Sequence, residues 1–64
     1  MIIEKNRVAN KVGMEVSIRQ ELPNGEEALA VMHIFNWDEI TEEERNSYIE
    51  DLKRELSIKI QKHI

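Results

Sequence analysis

The tetrapeptide Leu22-Pro23-Asn24-Gly25, set between two apolar runs, constrains this chain more than any other feature. Proline presets the backbone angle at the second turn position, and glycine supplies the left-handed conformation that closes a turn. On the N-terminal side, Val12, Met14, Val16 and Ile18 alternate with Gly13, Glu15, Ser17 and Arg19. Period two over this length predicts a strand with one wet face. On the C-terminal side, Ala28 to Trp37 is apolar almost throughout, as in a strand covered on both faces. Strand, turn and second run together predict a β-hairpin.

Turn length decides which face of the second strand joins the core. A three-residue loop ending in a left-handed glycine bulge places Ile18 opposite Ala30, Val16 opposite Met32 and Met14 opposite Ile34. Leu29, Val31, Phe35 and Trp37 then lie on the outer face among Arg19, Ser17 and Glu15. A four-residue loop slips the pairing by one residue and exchanges the faces. With either loop, a partly apolar face is left uncovered.

The stretch Asn36 to Arg45, NWDEITEEER, holds five carboxylates and marks the start of a helix. Thr41 and Glu44 have capping-box spacing: the threonine oxygen can accept from the Glu44 N–H while the Glu44 carboxylate reaches back. Glu42, Glu43 and Glu44 suit the positive end of the helix macrodipole, and Lys59, Lys62 and His63 suit the other end. The hydrophobic staple is missing, because Ile40 would have to meet Arg45. The helix is expected from about Glu42 to Gln61, with an inward stripe of Ile49, Leu52, Leu56 and Ile60. Tyr48 and Ile64 lie at its margins and Ile58 on the far side. Glu50 with Arg54, and Glu55 with Lys59, have the spacing and order of helix ion pairs.

Residues 1–11 are less patterned. Ile2, Ile3, Val8 and Ala9 fit a short edge strand leading into a bend at Asn10-Lys11, the reading favoured over a single frayed helical turn, which fits almost as well. The expected fold is therefore α+β in one small domain, residues 1–64: an antiparallel β-hairpin, extensible by an N-terminal edge strand to a three-stranded meander, followed by one long C-terminal helix.

A chain of 64 residues buries only about 60% of the surface its unfolded form exposes. Such scaffolds draw on disulfides, a metal, tight packing or oligomerisation. Cysteine is absent, and the two histidines stand thirty residues apart with no ligand cluster around either. Neither a disulfide nor a structural zinc is expected, nor any cofactor. One helix with one apolar stripe shields one face of a sheet, so self-association is expected as a homodimer or a dimer of dimers, through sheet faces or strand edges.

Charge narrows the partners. The net charge is −4, distributed as +1 over residues 1–25, −8 over 26–51 and +3 over 52–64. Lys5, Arg7, Lys11 and Arg19 are too sparse for the basic stripe of a nucleic-acid binder, so DNA or RNA binding is disfavoured. The N-terminus meets charge too early for a secretory signal, and no apolar run approaches the roughly 20 residues of a membrane span. A cytoplasmic location is the expectation, and a Met start suits a complete short gene product.

Chemistry is hard to place on these residues. Paired carboxylates need a cleft that perturbs one of them, whereas these lie on a helix start and a turn. His33 could pair with Glu15 in the bulged register, but a lone strand histidine has little around it. With two glycines there is no phosphate-binding loop. Enzyme activity is not expected. What remains are two surfaces. Leu29, Val31, His33, Phe35 and Trp37 form a candidate interface rich in the aromatic residues favoured at binding hot spots. Asp38, Glu39, Glu42 and Glu43 form a candidate acidic dock for a basic partner. The expected function is a small oligomeric protein-interaction module that binds and blocks or adapts a larger protein, such as a phage or mobile-element inhibitor. The alternative is an oligomeric small-ligand binder with a pocket at the subunit junction around Arg19, His33, Phe35 and Trp37.

Overall fold

The computed structural model describes residues 1–62. Three strands and one helix follow in chain order: β1 (Ile2–Asn6), β2 (Met14–Glu21), β3 (Glu27–Ile34) and α1 (Glu42–Lys62). The strands form an antiparallel meander in the order β1-β2-β3, so β2 is central and both outer strands are edges. The chain is α+β, with the N-terminal edge strand present.

The hairpin turn fixes the architecture. Leu22 C=O accepts from Gly25 N–H at 3.0 Å, and Leu22 N–H donates to Glu26 C=O at 2.7 Å. Gly25 has φ 87°, the left-handed residue of a three-residue bulged loop. Asn24 Oδ1 accepts from Glu26 N–H at 3.0 Å. The resulting register sets Ile18 opposite Ala30, Val16 opposite Met32 and Met14 opposite Ile34, the pairing expected for the bulged loop. Val16, Ile18, Ala28, Ala30 and Ile34 consequently face α1, which buries Ile49, Leu52 and Leu56 against them. Met14, Met32, Ile40 and Ile60 fill the margins. Ile64 and His63 lie outside the described residues.

The β1–β2 connection is a turn across Val8–Lys11, with Lys11 N–H donating to Val8 C=O at 3.1 Å. Asn10 occupies the left-handed region at φ 65°, which asparagine tolerates better than most residues. Val8 and Ala9 therefore belong to the turn, and β1 ends at Asn6. The alternation that begins at Val12 also breaks at its first step. Gly13 has φ 98°, and a Cβ there would lie 2.7 Å from Phe35 Cα and closer still to the Ile34 carbonyl oxygen. The chain bends at Val12-Gly13, so β2 starts at Met14 and Val12 is exposed.

Helix initiation follows the capping box. Glu44 N–H donates to Thr41 Oγ1 at 3.2 Å, Glu44 Oε1 lies within 3.5 Å of Thr41 N, and Arg45 N–H donates to Thr41 C=O at 3.0 Å. The surface ion pairs differ from the expected spacing. Lys53 meets Glu50 at 3.0 Å and Arg54 meets Asp51 at 3.2 Å, both three residues apart. Glu50 has Lys53 one residue nearer than Arg54, which leaves Arg54 to Asp51, and positions three apart also adjoin on a helix. Lys59 turns away from Glu55 to the sheet, its Nζ 3.3 Å from the Leu29 carbonyl oxygen.

Candidate functional site

The sheet face turned away from α1 is the first candidate. Antiparallel partners share a face, so three rows cross it: Ile2-Arg19-Leu29, Glu4-Ser17-Val31 and Asn6-Glu15-His33. Glu21 and Glu27 close one end. Leu29 is 49% exposed, Val31 51% and Phe35 71%. Among the described residues no element covers this face, because α1 packs on the opposite side. The central column is polar: Arg19 bridges to Glu4, with Ser17 and Glu15 beside it. Apart from Ile2 on β1, which is 56% exposed, the apolar surface is thus a stripe along β3 rather than a greasy sheet centre.

His33 belongs to that stripe. Its Nε2 lies 2.8 Å from the Val12 carbonyl oxygen; a carbonyl only accepts, so this nitrogen carries the proton. Its ring packs edge-on against Phe35 with centroids 4.6 Å apart. Glu15 is the cross-strand partner of His33, yet the imidazole is held by Val12 and Phe35 instead. The arrangement is a structural tie.

Trp37 does not join the outer face. It is 6% exposed and belongs to the core. β3 ends at Ile34, and a turn closed by Glu39 N–H donating to Asn36 C=O at 2.9 Å swings the indole to the helix side. There Arg45 Nε–H donates to the Trp37 carbonyl at 2.8 Å, and the Arg45 guanidinium lies 4.7 Å from the ring centroid. Lys5, on the helix-side face of β1, places its ammonium 5.7 Å from the same ring. Arg45 thus occupies the position a staple residue would fill, and holds Trp37 rather than Ile40. The interface stripe loses Trp37 and keeps Leu29, Val31, His33 and Phe35.

The acidic cluster is also divided. Asp38 takes both guanidinium nitrogens of Arg7, at 2.8 and 2.6 Å, and Arg7 donates further to the Gly13 carbonyl at 3.1 Å. Hydrogen bonding from Arg7 draws the Asp38 pKa below its ordinary value, against a smaller desolvation effect and with help from the charges of Arg7 and Arg45. Asp38 therefore ties the β1–β2 turn to the segment entering the helix. Glu39, Glu42 and Glu43 are solvent-exposed. Among the described residues no group of three metal-ligating side chains converges.

An open groove of about 290 Å³ follows the end of β3, lined by Met32, His33, Ile34, Phe35, Asn36 and Tyr48. It brings His33 and Phe35 together, whereas neither Arg19 nor Trp37 reaches it. Tyr48 was not anticipated there; its place at the margin of the helix stripe was the available signal. Among the described residues no helix is long and apolar enough to cross a membrane. The chain matches no family model, no curated protein and no solved structure.

Proposed function

We propose that this chain is a small, self-associating protein-interaction module that binds a larger protein and blocks or adapts it, in the cytoplasm. The observation that carries the proposal is the apolar stripe Leu29, Val31 and Phe35, about half-exposed or more on a sheet face that α1 does not cover. Large apolar side chains lined up in this way, with acids flanking them, mark a docking surface more than a solvated one. An inhibitor carried by a phage or mobile element is one form such a module takes. Affinity capture from native lysate tests the proposal, comparing wild type with Phe35→Lys. A stoichiometric partner retained by wild type and lost by the variant supports it; no partner, or one indifferent to Phe35, overturns it.

The groove at Met32, His33, Phe35 and Tyr48 favours a second reading, an oligomeric small-ligand binder whose pocket a neighbouring copy completes. A metabolite retained in native mass spectra and released by Tyr48→Ala would move the balance to it.

A further inference from the structure

We infer that the free edge of β3 pairs with β3 of a second copy, antiparallel and across a two-fold axis at Val31, to give a continuous six-stranded sheet. This rests on the same stripe as the proposed function and names its first occupant.

Backbone direction singles out this edge. The Leu22–Glu26 pair is hydrogen-bonded, so the ladder toward β2 uses every second residue from there: Ala28, Ala30, Met32 and Ile34. The N–H and C=O groups of Leu29, Val31 and His33 point away from β2. Lys59 confirms the direction by reaching the Leu29 carbonyl from the helix.

The two edges of the sheet are built differently. β1 has five residues and places Lys5 on the helix-side face, and short strands and lysines are what blunt an edge against pairing. β3 has eight residues, and from Ala28 to Ile34 it holds no proline, lysine or carboxylate. Lys59 holds the Leu29 carbonyl, and the other outward backbone groups belong to the same strand positions that carry exposed Leu29 and Val31 and half-buried His33. A strand added here satisfies the backbone and sets its own side chains beside Leu29 and Val31.

Charge selects a second copy and selects the edge over the face. Two sheets stacked outer face to outer face would oppose Glu4, Glu15, Glu21 and Glu27 of each copy to the same acids, with Arg19 already committed to Glu4. Edge pairing about Val31 avoids this. Val31 meets itself, Leu29 meets His33, and Glu27 meets the partner's Phe35, which leaves the two Glu27 side chains at opposite ends. Three such pairs exchange about six backbone hydrogen bonds. Lys59 yields the Leu29 carbonyl to a backbone N–H in the process. The paired sheet then carries two stripes side by side at its centre, a broader platform for a larger protein.

The test uses Val31, whose half-exposed side chain can change without touching the core. Sedimentation of the full chain should show a species of twice 7.6 kDa. Val31→Lys alone and Val31→Glu alone each set like charges face to face on the axis, and each should raise the dimer Kd at least about tenfold. An equimolar mixture of the two variants should restore a dimer, and Ile58→Lys on the outer helix face should leave the wild-type dimer intact. Amides of Leu29, Val31 and His33 should exchange slowly only at concentrations where the dimer forms. A monomeric wild type at high micromolar concentration, a dimer in which those amides exchange freely, or a mixture that fails to restore pairing would each overturn the inference. So would protection of the three amides that appears only on adding a different protein, which would make that protein's strand the occupant. Loss of the lysate partner from Phe35→Lys with the dimer intact separates the proposed function from this one.

Discussion

Phe35 and Trp37 are two residues apart, yet one is 71% exposed on the outer sheet face and the other 6% exposed in the core. Their substitution should therefore separate assembly from stability. Trp37→Ala should cost about 3–5 kcal/mol of folding free energy, measured by urea denaturation. Phe35→Ala should change stability by no more than about 0.5 kcal/mol while weakening partner binding.

The two glycines of positive φ should respond differently to alanine. At Gly25 nothing lies within 4 Å of an added Cβ, so Gly25→Ala carries only the left-handed penalty of about 1–2 kcal/mol. At Gly13 the methyl would collide with the backbone of Ile34 and Phe35. Gly13→Ala should cost about 2–3 kcal/mol and shift the amide resonances at the end of β3. Equal losses at the two sites would contradict the close approach.

Thr41→Ala removes the oxygen that accepts from the Glu44 N–H. A loss of about 1 kcal/mol is expected, read as a lower melting temperature, with Thr41→Ser close to wild type.

Asp38 supplies a pH signature. Its folded pKa is depressed by the Arg7 hydrogen bonds, so its stabilisation is fully present above the unfolded value of about 3.9 and is lost as pH falls through the folded value. The melting temperatures of wild type and Asp38→Asn should differ by a constant amount above about pH 5 and converge in more acid solution. A difference that persists undiminished in acid would place the stabilisation elsewhere. Both side chains are exposed, and salt should shrink the gap.

Much of this architecture is legible in the residues. Pro23-Asn24-Gly25 signals the hairpin turn but leaves its length open between three and four residues, so the face that Val16, Ile18, Ala30 and Ile34 present to the helix is set only by the observed register. Thr41 and Glu44 announce the helix start, and the inward stripe follows its period. The readings that fail do so where the chain changes direction without a strong punctuating residue. Period two continues through Phe35 to Trp37 in the sequence, but Asn36 starts a turn that neither proline nor glycine signals. Val12 looks like the first step of an alternation because a glycine between apolar residues does not reveal the sign of its φ. Arg7 with Asp38, and Lys59 with the Leu29 carbonyl, span about thirty residues, and no local pattern encodes such long-range ties. For the candidate site, three stripe residues and His33 were placed by the register alone, whereas Tyr48 entered only through tertiary packing.

The difference in length between β1 and β3 would also limit how far growth by the inferred edge pairing can proceed. A protein with two sticky margins would polymerise into ribbons, each addition exposing a fresh template for the next. If β3 pairs as inferred, the shorter β1 with Lys5 offers a poorer template, and the first encounter would use up the longer of the two edges. A small chain rich in β-branched residues would then stay out of filaments through asymmetry between its ends, rather than through a high overall charge.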